Sequence, residues 1–194
     1  MKRREFLSTS LQGSLAASIS MLFPAGLLAS ELPADITELT ASKLSAAIRD
    51  RQVSCLEVMQ AYLQRIERYN PVYNAIVNLA EQDSLLGQAR RADTALDKGE
   101  YWGWMHGMPH AVKDLANVEG MITTSGSRIF ANRVATADSS LVADVRKQGA
   151  IFIGKTNTPE FGLGSQTYNE VFGATGSAWN PALTAGGSSG GAAC

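Results

Sequence analysis

The sequence predicts an α/β fold in which helices cover a β-sheet, and two observations carry that prediction. Extended apolar runs alternate with helix-period segments from Glu31 onward, the pattern of a sheet layered with helices. The run Ala150-Ile151-Phe152-Ile153 is apolar at every position, as in a strand buried on both faces.

The elements follow in chain order. Leu44, Ala47 and Ile48 lie at helical spacing after Thr40. Ser54 and Glu57 give the S-x-x-E form of a capping box, in which each side chain satisfies a free amide at a helix start. Leu56, Met59, Leu63 and Ile66 continue that helix, which is predicted to run from Cys55 to Tyr69 and to end at Asn70-Pro71. Ala75-Ile76-Val77 reads as a short strand, and Ala89, Ala92 and Leu96 mark an amphipathic helix ending before Gly99. Pro109 to Val112 reads as a strand running into Lys113-Asp114. Ser139 or Ser140 caps a helix through Leu141, Val142 and Val145, with Gly149 beyond its end. Thr158-Pro159-Glu160 has a cap residue, a proline at the first helical position and an acid in the first turn, which predicts another helix start.

Composition narrows the function. The chain has 194 residues, 45% hydrophobic and 18% charged, enough to bury a core without disulfides or a structural metal. A net charge of −1, with no basic block past the first residues, argues against nucleic-acid binding through phosphates. The two cysteines and two histidines lack zinc-ligand spacing, so no metal site is expected. Gly107 and Pro109 between His106 and His110 argue against one shared helical face.

Residues 1–30 differ from the rest. Lys2, Arg3 and Arg4 precede a moderately apolar stretch that ends in small residues, the order of a secretory signal. Paired arginines followed by Phe6 and Leu7 resemble a twin-arginine export signal, with cleavage expected near Ala29 or Ser30. The expectation is therefore a periplasmic or secreted protein, handled by the twin-arginine machinery. Residues 31–194 form one domain with no internal repeat.

After Phe161 glycines multiply, at Gly162, Gly164, Gly173 and Gly176, and the chain closes on GGSSGG at residues 186–191. Glycine lets backbone approach a ligand or another backbone closely, which favours this half as the site. A phosphate cradle requires Lys and Ser or Thr after the glycines, whereas Ala192-Ala193-Cys194 follows here. A flexible linker is the alternative reading of the loop taken alone. A catalytic serine needs a neighbouring base. No histidine offers an obvious triad, but a desolvated, neutral lysine can serve, and Lys113 at the end of a strand is the candidate.

HGMPHAVKDLANVEGMITTSGS, and IGKTNTPEFGLGSQTYNEVFGATGSAWNPALTAGGSSGG at its spacing behind it, resemble the amidase signature family. The resemblance runs from about residue 36 to the end. It implies the N-terminal part of the amidase signature fold, a mixed β-sheet covered by helices and incomplete in this chain. It also implies a cofactor-free hydrolase that cleaves the C–N bond of a small-molecule amide through a Ser–cis-Ser–Lys triad. In that triad the base corresponds to Lys113 and the relay serine, after a cis peptide, to Ser188. By the same analogy Gly162, Leu163, Gly164 and Ser165 line the acyl pocket, Asp114 orients backbone or the lysine, and Ser189 organises the backbone of the turn. The acylating serine and oxyanion hole of the family lie about two dozen residues after the relay serine, hence beyond Cys194. Ala185 stands where the family often has proline, and Gly176 where it often has arginine. Two rival readings are the glutamine-hydrolysing component of an amidotransferase and a non-catalytic module that keeps the fold.

Overall fold

The computed structural model describes residues 32–194; the predicted export signal at residues 1–30 lies outside them. Helix α1 spans Ala41–Arg49, with Thr40 as its N-cap, and buries Leu44, Ala47 and Ile48. Helix α2 spans Cys55–Tyr73 and carries the full capping box of Ser54 and Glu57. The two amides between them are satisfied from α3 (Gln82–Asp97): Asp93 accepts from Cys55 N at 2.7 Å and Leu56 N at 3.1 Å. The small buried face of α3, Ala89, Ala92 and Ala95, lets the adjoining chain approach closely. At Gly107 a Cβ would collide with the Cys55 side chain, so glycine is required where the loop crosses α2.

The expected end of α2 at Tyr69 is corrected by the structure, in which Pro71 lies inside the helix. Pro71 lacks the N–H that would reach Glu67, an exposed residue, and only the last turn is affected. Asn70 offsets that loss. Its Oδ1 accepts from Ala75 N at 2.9 Å and Ile76 N at 2.7 Å, while its Nδ2 donates to Ile76 O at 2.8 Å. The helix then closes on Asn74 in the left-handed region, φ 49°.

The sheet is mixed. Strand β3 (Ile151–Thr156) lies at its centre, antiparallel to β1 (Ile76–Val77) and parallel to β2 (Pro109–Lys113). All six residues of β3 are buried, as its apolar run requires. Helix α4 (Ser140–Lys147) lies between β2 and β3 in sequence, on the connection parallel strands need. Val142 of α4 joins Val112, Val118 and Phe152 in one buried cluster. The register pairs Lys113 with Thr156 and Val112 with Lys155. Both parallel strands therefore end together, and ligands of such sheets bind at that carboxyl edge.

Beyond β3 the predicted helix at Glu160 is a single 3₁₀ turn, Glu160–Gly162. Phe161 takes φ 52°, ψ 18°, and Gly162 φ 73°, so no helix can propagate through them. A hairpin follows, β4 (Tyr168–Asn169) with β5 (Gly173–Ala174). The chain closes on the short helix α5, Gly190–Ala193.

Candidate active site

Lys113 is the last residue of β2, and the GGSSGG turn lies against it. Its Nζ donates to Ser188 Oγ at 2.8 Å and to Ser189 Oγ at 2.9 Å. Burial holds the Lys113 amine below its ordinary value, because desolvation penalises the charged form. The Gly187–Ser188 peptide bond is cis. Ser189 departs from the expectation of a hydroxyl serving the turn's backbone: it makes no side-chain cap bond to α5, and its Oγ faces Lys113 instead.

The turn sits on neighbouring backbone through its glycines. A Cβ on Gly187 would lie 2.8 Å from Gln166 N and from the Ser165 carbonyl carbon. A Cβ on Gly191 would collide with Ala75 O and Asn157 N. Glycine is needed at these positions because backbone presses on backbone, whatever else the turn does.

Around the turn runs a buried polar network that the sequence did not announce. Thr158 Oγ1 donates to Ser188 O at 3.4 Å. Asn169 Nδ2 donates to Thr158 O at 2.7 Å and to Asn157 Oδ1 at 2.8 Å. Asn157 Nδ2 donates to Thr175 Oγ1 at 3.0 Å, and Thr175 Oγ1 donates to Asn74 O at 2.8 Å. These bonds link the end of α2, the end of β3, the hairpin and the turn into one hydrogen-bonded frame. Isolated Asn and Thr residues in a glycine-rich stretch look like loop chemistry, so only their burial exposes this role.

Asp114 is fully buried and is held by Thr124. Thr124 donates to it from both N (3.2 Å) and Oγ1. Burial raises its carboxyl, opposed by those bonds and by the charge of Lys155. Lys155, buried within β3, donates to Thr123 Oγ1 at 2.9 Å and to Ala116 O, and burial pulls its amine down to about 8. A lysine inside an otherwise apolar strand was the signal that could have revealed it.

Of the proposed acyl-pocket residues, Leu163 is 81% exposed and Gly162 lies against Leu115. Gly164 and Ser165 lie under Gly187 through their backbone. His106 belongs to the core. Its Nδ1 accepts from Trp102 N at 3.1 Å, which leaves Nε2 to donate to Ala92 O at 2.9 Å. Among the described residues no group of three or more His, Cys, Asp or Glu is placed to hold a metal ion.

An α/β layer that sets a partly desolvated lysine against two serines of a glycine-rich turn defines a class: proteins equipped for proton transfer between an amine and hydroxyls. The amidase family profile matches residues 57–194, and the chain belongs to the amidase signature family. It is 40% identical over 159 residues to a subunit of the glutamyl-tRNA(Gln) amidotransferase of Acidothermus cellulolyticus, covering 82% of this chain and 31% of that one. It is 37% identical over 151 residues to an acylamidase of Rhodococcus erythropolis, covering 78% and 31%. Among solved structures, a bacterial aryl acylamidase of the amidase signature family superposes with a TM-score of 0.74 at 30% identity, covering 79% and 32%. A fatty acid amide hydrolase superposes with a TM-score of 0.76 at 27% identity, covering 82% and 29%. The chain thus spans about a third of the length of these relatives.

Proposed function

We propose that this chain is the N-terminal part of an exported, cofactor-free amidase that hydrolyses the C–N bond of a small carboxylic amide, with Lys113 as base and Ser188 as relay. The supporting observation is the contact of Lys113 Nζ with both serines of the turn, 2.8 Å and 2.9 Å.

The chemistry follows from proton counting. A charged amine can only donate, whereas neutral Lys113 keeps two N–H bonds and gains a lone pair. One N–H stays on Ser189 Oγ, while the lone pair accepts the Ser188 proton. Ser188 in turn accepts the proton of the acylating serine, which the family resemblance sets in the remaining two-thirds of the protein. That serine attacks the amide carbonyl, and the C–N bond breaks as the proton returns through Ser188 to the leaving amine. Water then attacks the acyl-enzyme along the same relay and releases the acid. Lowering the Lys113 amine serves this cycle by raising the neutral fraction near neutral pH.

A second reading is favoured by the 40% identity to a component of a glutamyl-tRNA(Gln) amidotransferase: the amide is that of glutamine, and the released ammonia passes to an acylated tRNA. Assays of the long form separate the two. Release of amine from anilides and alkyl amides, with glutamine untouched, is the expected result. Hydrolysis of glutamine alone would favour the second reading, and hydrolysis of no amide would refute both.

A further inference from the structure

The segment just before the hairpin makes a contact that the relay chemistry alone does not require. Thr167 is fully buried, and its Oγ1 accepts from Gly190 N at 2.9 Å. Gly190 opens α5, so its amide has no partner within that helix. Thr167 is itself held from the hairpin side, where its carbonyl accepts from Thr175 N at 2.9 Å. The fit is close: a Cβ on Gly190 would lie 2.5 Å from Thr167 Oγ1 and 2.7 Å from Thr167 Cβ. The next two residues toward the N-terminus, Gln166 and Ser165, supply the backbone on which Gly187 rests. Ser188 and Ser189 are therefore bracketed, with one end of their turn seated on Ser165–Gln166 and the other tied to Thr167.

We propose that Thr167 is a positioning residue for Lys113 and Ser188. Its buried hydroxyl latches the serine turn over the lysine, keeps both serine hydroxyls within reach of Nζ, and keeps water off the amine. The proposal rests on the relay reading given above. It assigns Ser165–Thr167 the task of seating the turn through main chain and one hydroxyl.

The test uses the 194-residue chain and needs no turnover, so its failure is separable from failure of the relay. Lysine side chains are isotopically labelled, the Lys113 signal is assigned with Lys113→Arg, and its titration is followed by NMR. Thr167→Val keeps the shape and removes the hydroxyl. The expected result is a Lys113 midpoint that rises toward the free-lysine value as the turn lifts and water returns. Thr167→Ser, which keeps the acceptor, restores the lower midpoint. A loss of general stability alone would not move this midpoint in the folded molecules. An unchanged midpoint in a folded Thr167→Val protein overturns the proposal. Amide exchange in the unaltered chain decides the matter if that variant does not fold. Strong protection at Gly190 is expected, and exchange at the free-peptide rate overturns the proposal.

Discussion

Two lysines at neighbouring register positions illustrate how side-chain environment divides roles. Lys155 pairs in register with Val112, and Lys113 with Thr156, so the two occupy successive rungs of the β2–β3 ladder. Lys155 is fully enclosed, and its donors are taken up by Thr123 and Ala116. Lys113 ends its strand and meets two serine hydroxyls. The more strongly depressed amine is thus the structural one, because depression measures desolvation and not access to a reactive partner. The linkage has a definite sign. The unfolded chain holds the Lys155 proton up to the ordinary value of 10.5, and the folded chain releases it near 8, so stability rises with pH across that window. Urea unfolding between about pH 8 and about pH 10 should show this rise, and Lys155→Met should flatten it. An equal slope in the variant would exclude a depressed Lys155. That Lys113 and Ser188 meet was legible because their neighbours form recognisable blocks. Thr158, Thr167 and Asn169 were not, because they act only once separate stretches of chain meet.

Among the elements, legibility followed how local the determining forces are. The start of α2 is fixed by Ser54 and Glu57 three residues apart, and the sequence pattern locates it. Ser54→Ala should cost about 1 kcal/mol in chemical unfolding. A cost near zero would mean that Asp93, which accepts from Cys55 N and Leu56 N, suffices alone. The end of α2 was misread because Pro71 is a local stop signal overridden by the Asn70 side chain, whose partners lie in β1 and the residue before it. The false helix start at Thr158 has the converse cause. Cap, proline and acid are all present, but Phe161 and Gly162 adopt positive φ and no apolar period follows. Strand β3 was legible from its unbroken apolar run, and Phe152 sits in the cluster between sheet and α4. Phe152→Ala should destabilise by about 3–5 kcal/mol, read from the midpoint of denaturant unfolding. A loss below about 1 kcal/mol would mean that this cluster does not anchor the sheet.

At the scale of the whole molecule, alternation of strands and helices made the α/β class readable, while the mixed character of the sheet came from the family resemblance and is now seen directly in the order β1-β3-β2. The chain spans about a third of its relatives' length, and under the proposed relay the lysine and serine turn, in contact here, would work with an acylating serine of a longer form. The coding sequence is expected to continue in frame past codon 194 into a second glycine-rich block with a serine about two dozen residues after Ser188. A stop codon there would favour the non-catalytic reading. The 194-residue polypeptide itself should resist a fluorophosphonate serine probe, and stoichiometric labelling would contradict the division of roles. Residues 1–30 are proposed to direct twin-arginine export. A folded reporter fused to residues 1–35 should reach the periplasm, and its retention in the cytoplasm of a transport-competent strain would refute that assignment. The most direct measurement of the central claim is amide turnover by the long form with Lys113→Ala. With a general base removed, kcat/KM is expected to fall by at least ~10²–10⁴ at neutral pH while the fold is retained. Turnover at the unaltered rate would contradict Lys113 as the base that drives the relay.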